Sequence, residues 1–196
     1  MRLPILVTAL AVGIGVGGSA IADELVQLFI SPMGEPFRAA MDKPYPSATW
    51  FAGADTNKDG EISRSEFRAD ALRFFKLLDV NKDGRLTEDE IVRYEKQIAP
   101  EIIAATFDTS STEAVEDSQG RKQPVTLYNT QGATFYGLIN SPEPVRSADG
   151  DFNGKITQDE WLAAADRRFH LLAGEDGDGF KLKDLPKTPL QIRLKK

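Results

Sequence analysis

Apolar residues recur with helical spacing in two segments of the chain, residues 63–78 and 157–172. In each segment they stand at positions i, i+4, i+8 and i+11, which places them on one face of an α-helix. Neither segment contains glycine or proline, so each is predicted to be an unbroken helix, capped near Ser63 and near Thr157. The constant offset of 94 residues indicates an internal repeat, and we expect the aromatic positions to form core rather than a ligand pocket. These positions are Phe67, Ala71, Phe75 and Leu78 in the first segment, and Trp161, Ala165, Phe169 and Leu172 in the second.

The two ends of the mature chain show weaker patterns. Residues 23–46 are treated as an N-terminal segment without an assigned element. Pro46 is typical of a helix start and predicts a short helix over Ser47–Ala54. At the other end, residues 187–196 form a basic tail. A solvated tail is favoured over one that contacts an anionic membrane or the acidic loops. Its cations are Lys187, Arg193, Lys195 and Lys196.

The middle of the chain, residues 100–140, is interpreted as an irregular insertion. Residues 108–124 are polar and predict a flexible surface stretch. Residues 125–140 alternate between apolar and polar side chains, which predicts a short hairpin. The sequence EPVRSA, residues 143–148, predicts a single helical turn before the next motif.

The first 22 residues have the plan of a secretory signal peptide. Arg2 is followed by an apolar run and by small residues at Ala20 and Ala22, so the mature chain is predicted to begin at Asp23. The alternative is an uncleaved membrane anchor, but the run is short and rich in glycine. No later run approaches the ~20 apolar residues that span a bilayer. The predicted location is therefore periplasmic or secreted, with no membrane span after cleavage.

Composition narrows the class of function. Apolar residues make up 41% and charged residues 28% of the chain, which is typical of a soluble globular protein. A net charge of −6 argues against nucleic acid as a partner and favours a cation. The chain has no cysteine, and its one histidine, His170, is predicted to lie on the surface. Thiolate chemistry thus lacks its group, serine–histidine chemistry would rest on His170 alone, and an enzyme is not expected.

A motif rich in oxygen-bearing side chains occurs three times, at residues 55–66, 79–90 and 149–160. Each copy fits D-x-[DN]-x-[DN]-G-x-[IL]-[ST]-x-x-E, the pattern of a calcium-binding loop. Ca²⁺ takes six to eight oxygens, and a final glutamate that binds through both oxygens favours it over Mg²⁺. In each loop the seventh residue would offer its carbonyl and the ninth would hold a water. The predicted ligands are Asp55, Asn57, Asp59, Glu61, Ser63 and Glu66; then Asp79, Asn81, Asp83, Arg85, Thr87 and Glu90; then Asp149, Asp151, Asn153, Lys155, Thr157 and Glu160.

A fourth, degenerate copy lies near residues 173–185. Asp176 and Asp178 precede Gly179 and Phe180, but the first ligand is replaced and Asp184 is the nearest candidate for the last one. We interpret it as a structural remnant with weak binding or none.

The spacing of the loops predicts how they pair. Calcium loops normally pair through their eighth residues as a small antiparallel ladder, with strands about 4.8 Å apart. The twelve residues between the first two loops form a helix of about 18 Å, which holds those loops apart. We therefore predict that Leu86 pairs with Ile156, and Ile62 with Phe180. Dimerisation through free loops is the alternative.

These motifs resemble the EF-hand superfamily, and more narrowly small exported EF-hand proteins of bacteria. The resemblance covers residues 47–99, as EF-hands one and two, and residues 141–186, as EF-hand three and the degenerate fourth. It implies an all-α fold of helix-loop-helix repeats, arranged as two loop-helix-loop halves with small β-bridges. The short interloop helix is similar to that of lanmodulin, a lanthanide-binding protein, whereas the second and ninth loop positions differ from it.

The resemblance implies reversible Ca²⁺ binding as a buffer or a sensor. A calcium-dependent protein partner and lanthanide binding are the alternatives.

Overall fold

The structure, a computed structural model, describes residues 26–104, 112–116, 122–126 and 131–194. The predicted signal peptide lies outside these residues and stays a prediction. The helices are α1 (Ser47–Ala54), α2 (Arg64–Leu78), α3 (Glu88–Arg93), α4 (Glu101–Ala104), α5 (Gln158–Ala173) and α6 (Pro189–Leu194). The strands are β1 (Val26–Ile30), β2 (Pro36–Ala40), β3 (Ile62–Ser63), β4 (Arg85–Leu86), β5 (Thr112–Glu116), β6 (Lys122–Thr126), β7 (Ile156–Thr157) and β8 (Gly179–Phe180). A π-helical segment, Tyr94–Ile98, continues α3, and short 3-10 turns occupy Gly132–Phe135, Arg146–Ala148 and Leu182–Asp184.

The two repeated helices form where the apolar spacing predicts them. Ser63 begins α2 and Thr157 begins α5, each as the N-cap of a capping box with the glutamate three residues later. The aromatic positions are core, as predicted: Phe67 is 2% exposed, and Trp161 and Phe169 are fully buried. Helix α1 also begins and ends as predicted, and the turn Arg146–Ala148 lies within EPVRSA.

The loops pair across the repeat, which confirms the prediction from helix length. In one ladder Ile62 lies opposite Phe180, and in the other Leu86 lies opposite Ile156. Because β3 and β4 bracket α2 while β7 and β8 bracket α5, the two helices run antiparallel. They pack together directly: the Trp161 indole N–H donates to the carbonyl of Ala71 at 2.8 Å.

The all-α description holds only in part, because the N-terminal segment forms a regular hairpin. Strands β1 and β2 pair antiparallel over five residues each. The inner face of β1 enters the core, where Phe29 is fully buried and its ring centroid lies 5.5 Å from that of Trp50. The sequence analysis missed this hairpin, and it contributes to the same core as the repeated helices.

The prediction of a hairpin over residues 125–140 is wrong for the residues that the structure describes, and residues 127–130 lie outside them. Gly132–Phe135 is a 3-10 turn, and a Cβ at Gly132, whose φ is +59°, would lie 2.4 Å from the Pro142 carbonyl oxygen. The hairpin forms earlier: β5 pairs with β6, within the stretch interpreted as a flexible surface insertion. Its two strands lie on either side of the sequence DSQGR, residues 117–121, whose Asp, Ser and Gly are residue types typical of turns.

The prediction of a solvated basic tail is also wrong for most of that segment. Thr188 is fully buried, and its hydroxyl accepts from the N–H of Gln191 at 3.1 Å. The Gln191 side chain in turn accepts from the N–H of Thr188 at 2.9 Å, so the start of α6 is capped. The Arg193 guanidinium lies 4.9 Å from the centroid of the Phe135 ring. Lys195 and Lys196 lie outside the described residues.

Within the described ranges, no helix combines the length and the apolar character needed to cross a membrane. His170, predicted to be a surface residue, is half-buried beside Phe169, with ring centroids 5.9 Å apart. Its Nδ1 atom is buried and has no hydrogen-bond partner in the described part of the chain.

Candidate metal centre

The first loop folds around the carboxylates of its first and last positions. Asp55 and Glu66 are 8% and 7% exposed. The N–H of Gly60 donates to Oδ2 of Asp55 at 3.0 Å, and the N–H of Asp59 donates to Oδ1 of Asn57 at 2.9 Å. Lys58 and Gly60 both have positive φ, which turns the chain back on itself between Asp55 and Glu66.

Glu66 links the beginning of the first loop to its end. Oε1 accepts from the N–H groups of Thr56 and Asn57, at 3.0 and 3.1 Å. Oε2 accepts from the N–H and the hydroxyl of Ser63, at 3.0 and 2.6 Å. These hydrogen bonds, the Ser63 hydroxyl foremost, lower the pKa of the Glu66 carboxyl to about 2. The carboxylate is therefore held ionised, which is the form that binds a cation.

The second loop repeats this geometry. The N–H of Gly84 donates to Oδ2 of Asp79 at 3.0 Å, and Glu90 accepts from the N–H of Val80 at 2.9 Å. The Thr87 N–H and hydroxyl both donate to Oε2 of Glu90, each at 2.9 Å. Burial opposes ionisation of Glu90, but these hydrogen bonds outweigh it and the pKa of the Glu90 carboxyl is lowered.

The third loop brings its carboxylates closest together. Single carboxylate oxygens of Asp149, Asp151 and Glu160 all lie within 4.8 Å of one another. The N–H and hydroxyl of Thr157 donate to Glu160 at 2.9 and 2.7 Å, and they lower the pKa of its carboxyl. Among the described residues, this is the one group of three acidic side chains with that spacing.

Loops one and two do not reach that spacing because their third acidic side chain stands at the fifth position rather than the third. Asp59 is exposed, and its carboxylate accepts from the Asn57 side-chain amide at 2.8 Å and from the N–H of Glu61 at 2.9 Å. Asp83 makes the equivalent contacts with Asn81 and Arg85, at 3.1 and 2.9 Å. In loop three the amide and the acid are exchanged: Asn153 donates to Asp151 at 2.8 Å.

The donor set fits a hard cation. Oδ1 of Asp55 is buried and accepts no hydrogen bond within the described residues, although a buried carboxylate oxygen normally has a partner. Carboxylate, amide and carbonyl oxygens are the ligands that Ca²⁺ prefers. A cation would supply the partner that Asp55 Oδ1 lacks. The seventh-position residues Glu61, Arg85 and Lys155, whose carbonyls are the predicted ligands, each lie in or beside the paired strands.

The degenerate fourth loop does not assemble a comparable site. Asp184 ends the 3-10 turn Leu182–Asp184, and Asp176, Asp178 and Asp184 are all exposed. A Cβ at Gly177 would lie 2.1 Å from the Ala173 carbonyl oxygen, so the loop is tightly turned. In the part of the chain that the structure describes, these carboxylates form no group with metal-ligand spacing.

Two arginines that the sequence analysis missed brace the entry to the third loop. Arg146 pairs with Glu88 at 2.8 Å and with Glu95. Arg168 is 6% exposed and donates to the Pro144 carbonyl at 2.6 Å and to the Ser147 hydroxyl at 2.9 Å. A signal for Arg168 was available, because it stands seven residues after Trp161 on the face predicted to be buried.

Comparison with known proteins gives the family of the first two loops. Residues 48–69 and 73–93 match the EF-hand family model. Residues 48–93 therefore hold two EF-hands. Probable calcium-binding protein CML34 of Arabidopsis thaliana is 29% identical over 126 residues, which cover 58% of this chain and 91% of that protein. No solved structure matches the chain.

Calcium binding through EF-hands is supported by both findings, and Ca²⁺ is the cofactor of this chain. The first EF-hand consists of α1, the loop at residues 55–66 and α2. The second consists of α2, the loop at residues 79–90 and α3. The two EF-hands thus share α2, which is why their loops cannot pair with each other.

Proposed function

We propose that this chain is an exported, non-enzymatic protein that binds three Ca²⁺ ions and acts as a buffer. The third site is supported by the close approach of Asp149, Asp151 and Glu160, which each place one carboxylate oxygen within 4.8 Å of the others. That loop has the same hydrogen-bonding plan as the two matched EF-hands and forms a ladder with the second. The export of the chain rests on the predicted signal peptide at residues 1–22.

The buried N-terminal hairpin favours a buffer over a sensor. A sensor EF-hand opens on binding Ca²⁺ and exposes an apolar, often methionine-rich, groove. Here the chain's own hairpin is packed into the same apolar core as the repeated helices: Leu28, Phe29 and Ile30 are at most 4% exposed. Met33, in the turn after β1, is 2% exposed.

Buried hydrogen bonds hold the turn of this hairpin against the rest of the core. Arg168 of α5 donates to the Pro32 carbonyl at 3.1 Å and to Sδ of Met33 at 3.3 Å, as well as to the segment before the third loop. In the π-helical segment, the Tyr94 hydroxyl donates to the Gly34 carbonyl at 2.7 Å. Opening the EF-hands would break these buried hydrogen bonds, and each unsatisfied group costs about 1–3 kcal/mol.

Isothermal titration of calcium tests the number of sites. We expect three binding events, and the loss of one event in each of the variants Glu66→Gln, Glu90→Gln and Glu160→Gln, because each removes the charge of a final ligand. Asp176→Asn, in the degenerate loop, is the matched control and should retain three events. Three events that survive Glu160→Gln would refute the third site.

A hydrophobic dye separates the buffer from the sensor. We expect its fluorescence with the protein to stay level or to fall when calcium is added, because filling the loops tightens the fold. A sharp calcium-dependent rise would instead support the partner-binding alternative. Export is tested separately by mass spectrometry of the secreted or periplasmic fraction, where we expect a chain that begins at Asp23.

A further inference from the structure

A cleft of about 300 Å³ lies between the start of α1 and the C-terminal segment, away from the calcium loops. Its walls are largely apolar and include Leu138, Leu182 and Leu185. Tyr45 also lines it, and the Tyr45 hydroxyl donates to the Leu28 carbonyl at 2.7 Å and lies 2.8 Å from Oγ1 of Thr188. Both walls are thereby tied to the core, so the cleft is a formed feature rather than a gap beneath a loose tail.

The polar side chains that line this cleft are hydrogen-bond donors. Lys183 and Lys187 line it, and none of its described lining residues is acidic, although the chain as a whole carries a charge of −6. Asp184 stands between the two lysines in sequence but does not line the cleft. The side-chain oxygen of Gln191 already accepts from Thr188, and its amide NH₂ makes no hydrogen bond to a described residue, so it can donate to a ligand.

Ser47 supplies a hydroxyl group to the cleft. It is 8% exposed, lines the cleft, and its hydroxyl makes no hydrogen bond to any described residue. Ser47 is also the first residue of α1, an eight-residue helix whose N-cap position is Pro46, which provides no side-chain cap. The first turn contains no acidic residue, so the partial positive charge of the helix start is not offset there.

We propose that this cleft binds a small anion with an apolar tail, such as a carboxylate on a short acyl chain. The anionic head would accept hydrogen bonds from Ser47 and Gln191 and would be attracted by Lys183 and Lys187. The acyl chain would lie against the leucines that line the walls. This site goes beyond calcium binding and does not depend on the number of calcium loops that are filled.

Octanoate is the probe, titrated calorimetrically into the full chain at saturating calcium. We expect saturable binding of one octanoate. Acetate has the same carboxylate but no methylene groups. It should not bind detectably, because each buried methylene contributes about 0.8 kcal/mol to binding. The double variant Lys183→Gln/Lys187→Gln should bind octanoate about tenfold more weakly, since two partly exposed charge contacts are lost.

Ser47→Ala should also weaken octanoate while leaving calcium binding unchanged. Lys96→Gln, an exposed lysine outside the cleft, is the matched control and should bind octanoate as the unaltered chain does. Absence of octanoate binding would overturn the proposal, as would binding that the double variant leaves unchanged. A further experiment uses phosphatidylglycerol vesicles. If the chain sediments with the vesicles, loses this in the Lys183→Gln/Lys187→Gln variant and does not bind octanoate, the proposal is overturned in favour of a membrane surface.

Discussion

Phe180 shows what the degenerate fourth loop contributes to the molecule. It is 5% exposed, although its loop lacks the ligands of a calcium site. Truncation to alanine removes a ring from a buried aromatic cluster and leaves a cavity, which costs about 3–5 kcal/mol of unfolding free energy for a buried phenylalanine. Its ring centroid lies 6.3 Å from Trp50, 6.5 Å from Phe51, 6.1 Å from Phe67 and 5.7 Å from Phe169.

The same substitution should act unequally on the calcium sites. Phe180 lies opposite Ile62, the eighth residue of the first loop, whereas the ladder between Leu86 and Ile156 is separate. We expect Phe180→Ala to weaken calcium binding in the first loop more than in the second and third. The reason is that its side chain supports only the first ladder.

Urea denaturation of the calcium-free chain measures the stability loss, and calcium titration followed by amide NMR resolves the loops. Leu171→Ala is the matched control, because Leu171 is 71% exposed and its truncation should cost no more than about 0.5 kcal/mol. A stability loss for Phe180→Ala below about 1 kcal/mol would refute the packing argument. Equal weakening of all three loops would refute the separate-ladder argument.

Two further predictions concern single side chains. Arg168→Met should lower the unfolding free energy by about 2 kcal/mol, because the carbonyls of Pro32 and Pro144 lose a buried donor; unchanged urea midpoints would contradict this. In the calcium-free chain the Glu66 carboxyl should titrate near its lowered pKa of about 2 rather than 4.5. Its contribution to stability is then fully present above pH 4.5 and is lost as the pH falls towards about 2. Ser63→Ala should raise that pKa, measured by carboxyl NMR; a pKa near 4.5 before the substitution would show that the hydrogen bonds do not form.

The calcium-binding loops and the repeated helices could be predicted because each is specified by a local sequence pattern. A twelve-residue pattern fixes which side chains face a cation, and the apolar spacing fixes the buried face of α2 and α5. The pairing of the loops could also be predicted, from the length of the helix between Glu66 and Asp79. That helix is too long to let the two loops at its ends meet.

The N-terminal hairpin and the tail were not predictable in the same way, because tertiary contacts decide them. Strand β2 begins at Pro36 and carries Arg38 in its middle, so it lacks an apolar alternation. It is fixed by β1, whose Phe29 packs on Trp50, and by Arg38, which pairs with Glu101 at 2.8 Å. Helix α6 likewise depends on Thr188, whose burial beside Tyr45 could not be read from a basic sequence.

The crossed ladders have a consequence for the integrity of the molecule. Each ladder takes one strand from the part of the chain before residue 105 and one from the part after residue 130. Neither part holds both strands of either ladder, and α2 of the first part packs on α5 of the second. A protease that severed the backbone between them would leave two fragments that need each other, and we expect them to stay associated as a nicked, calcium-binding complex.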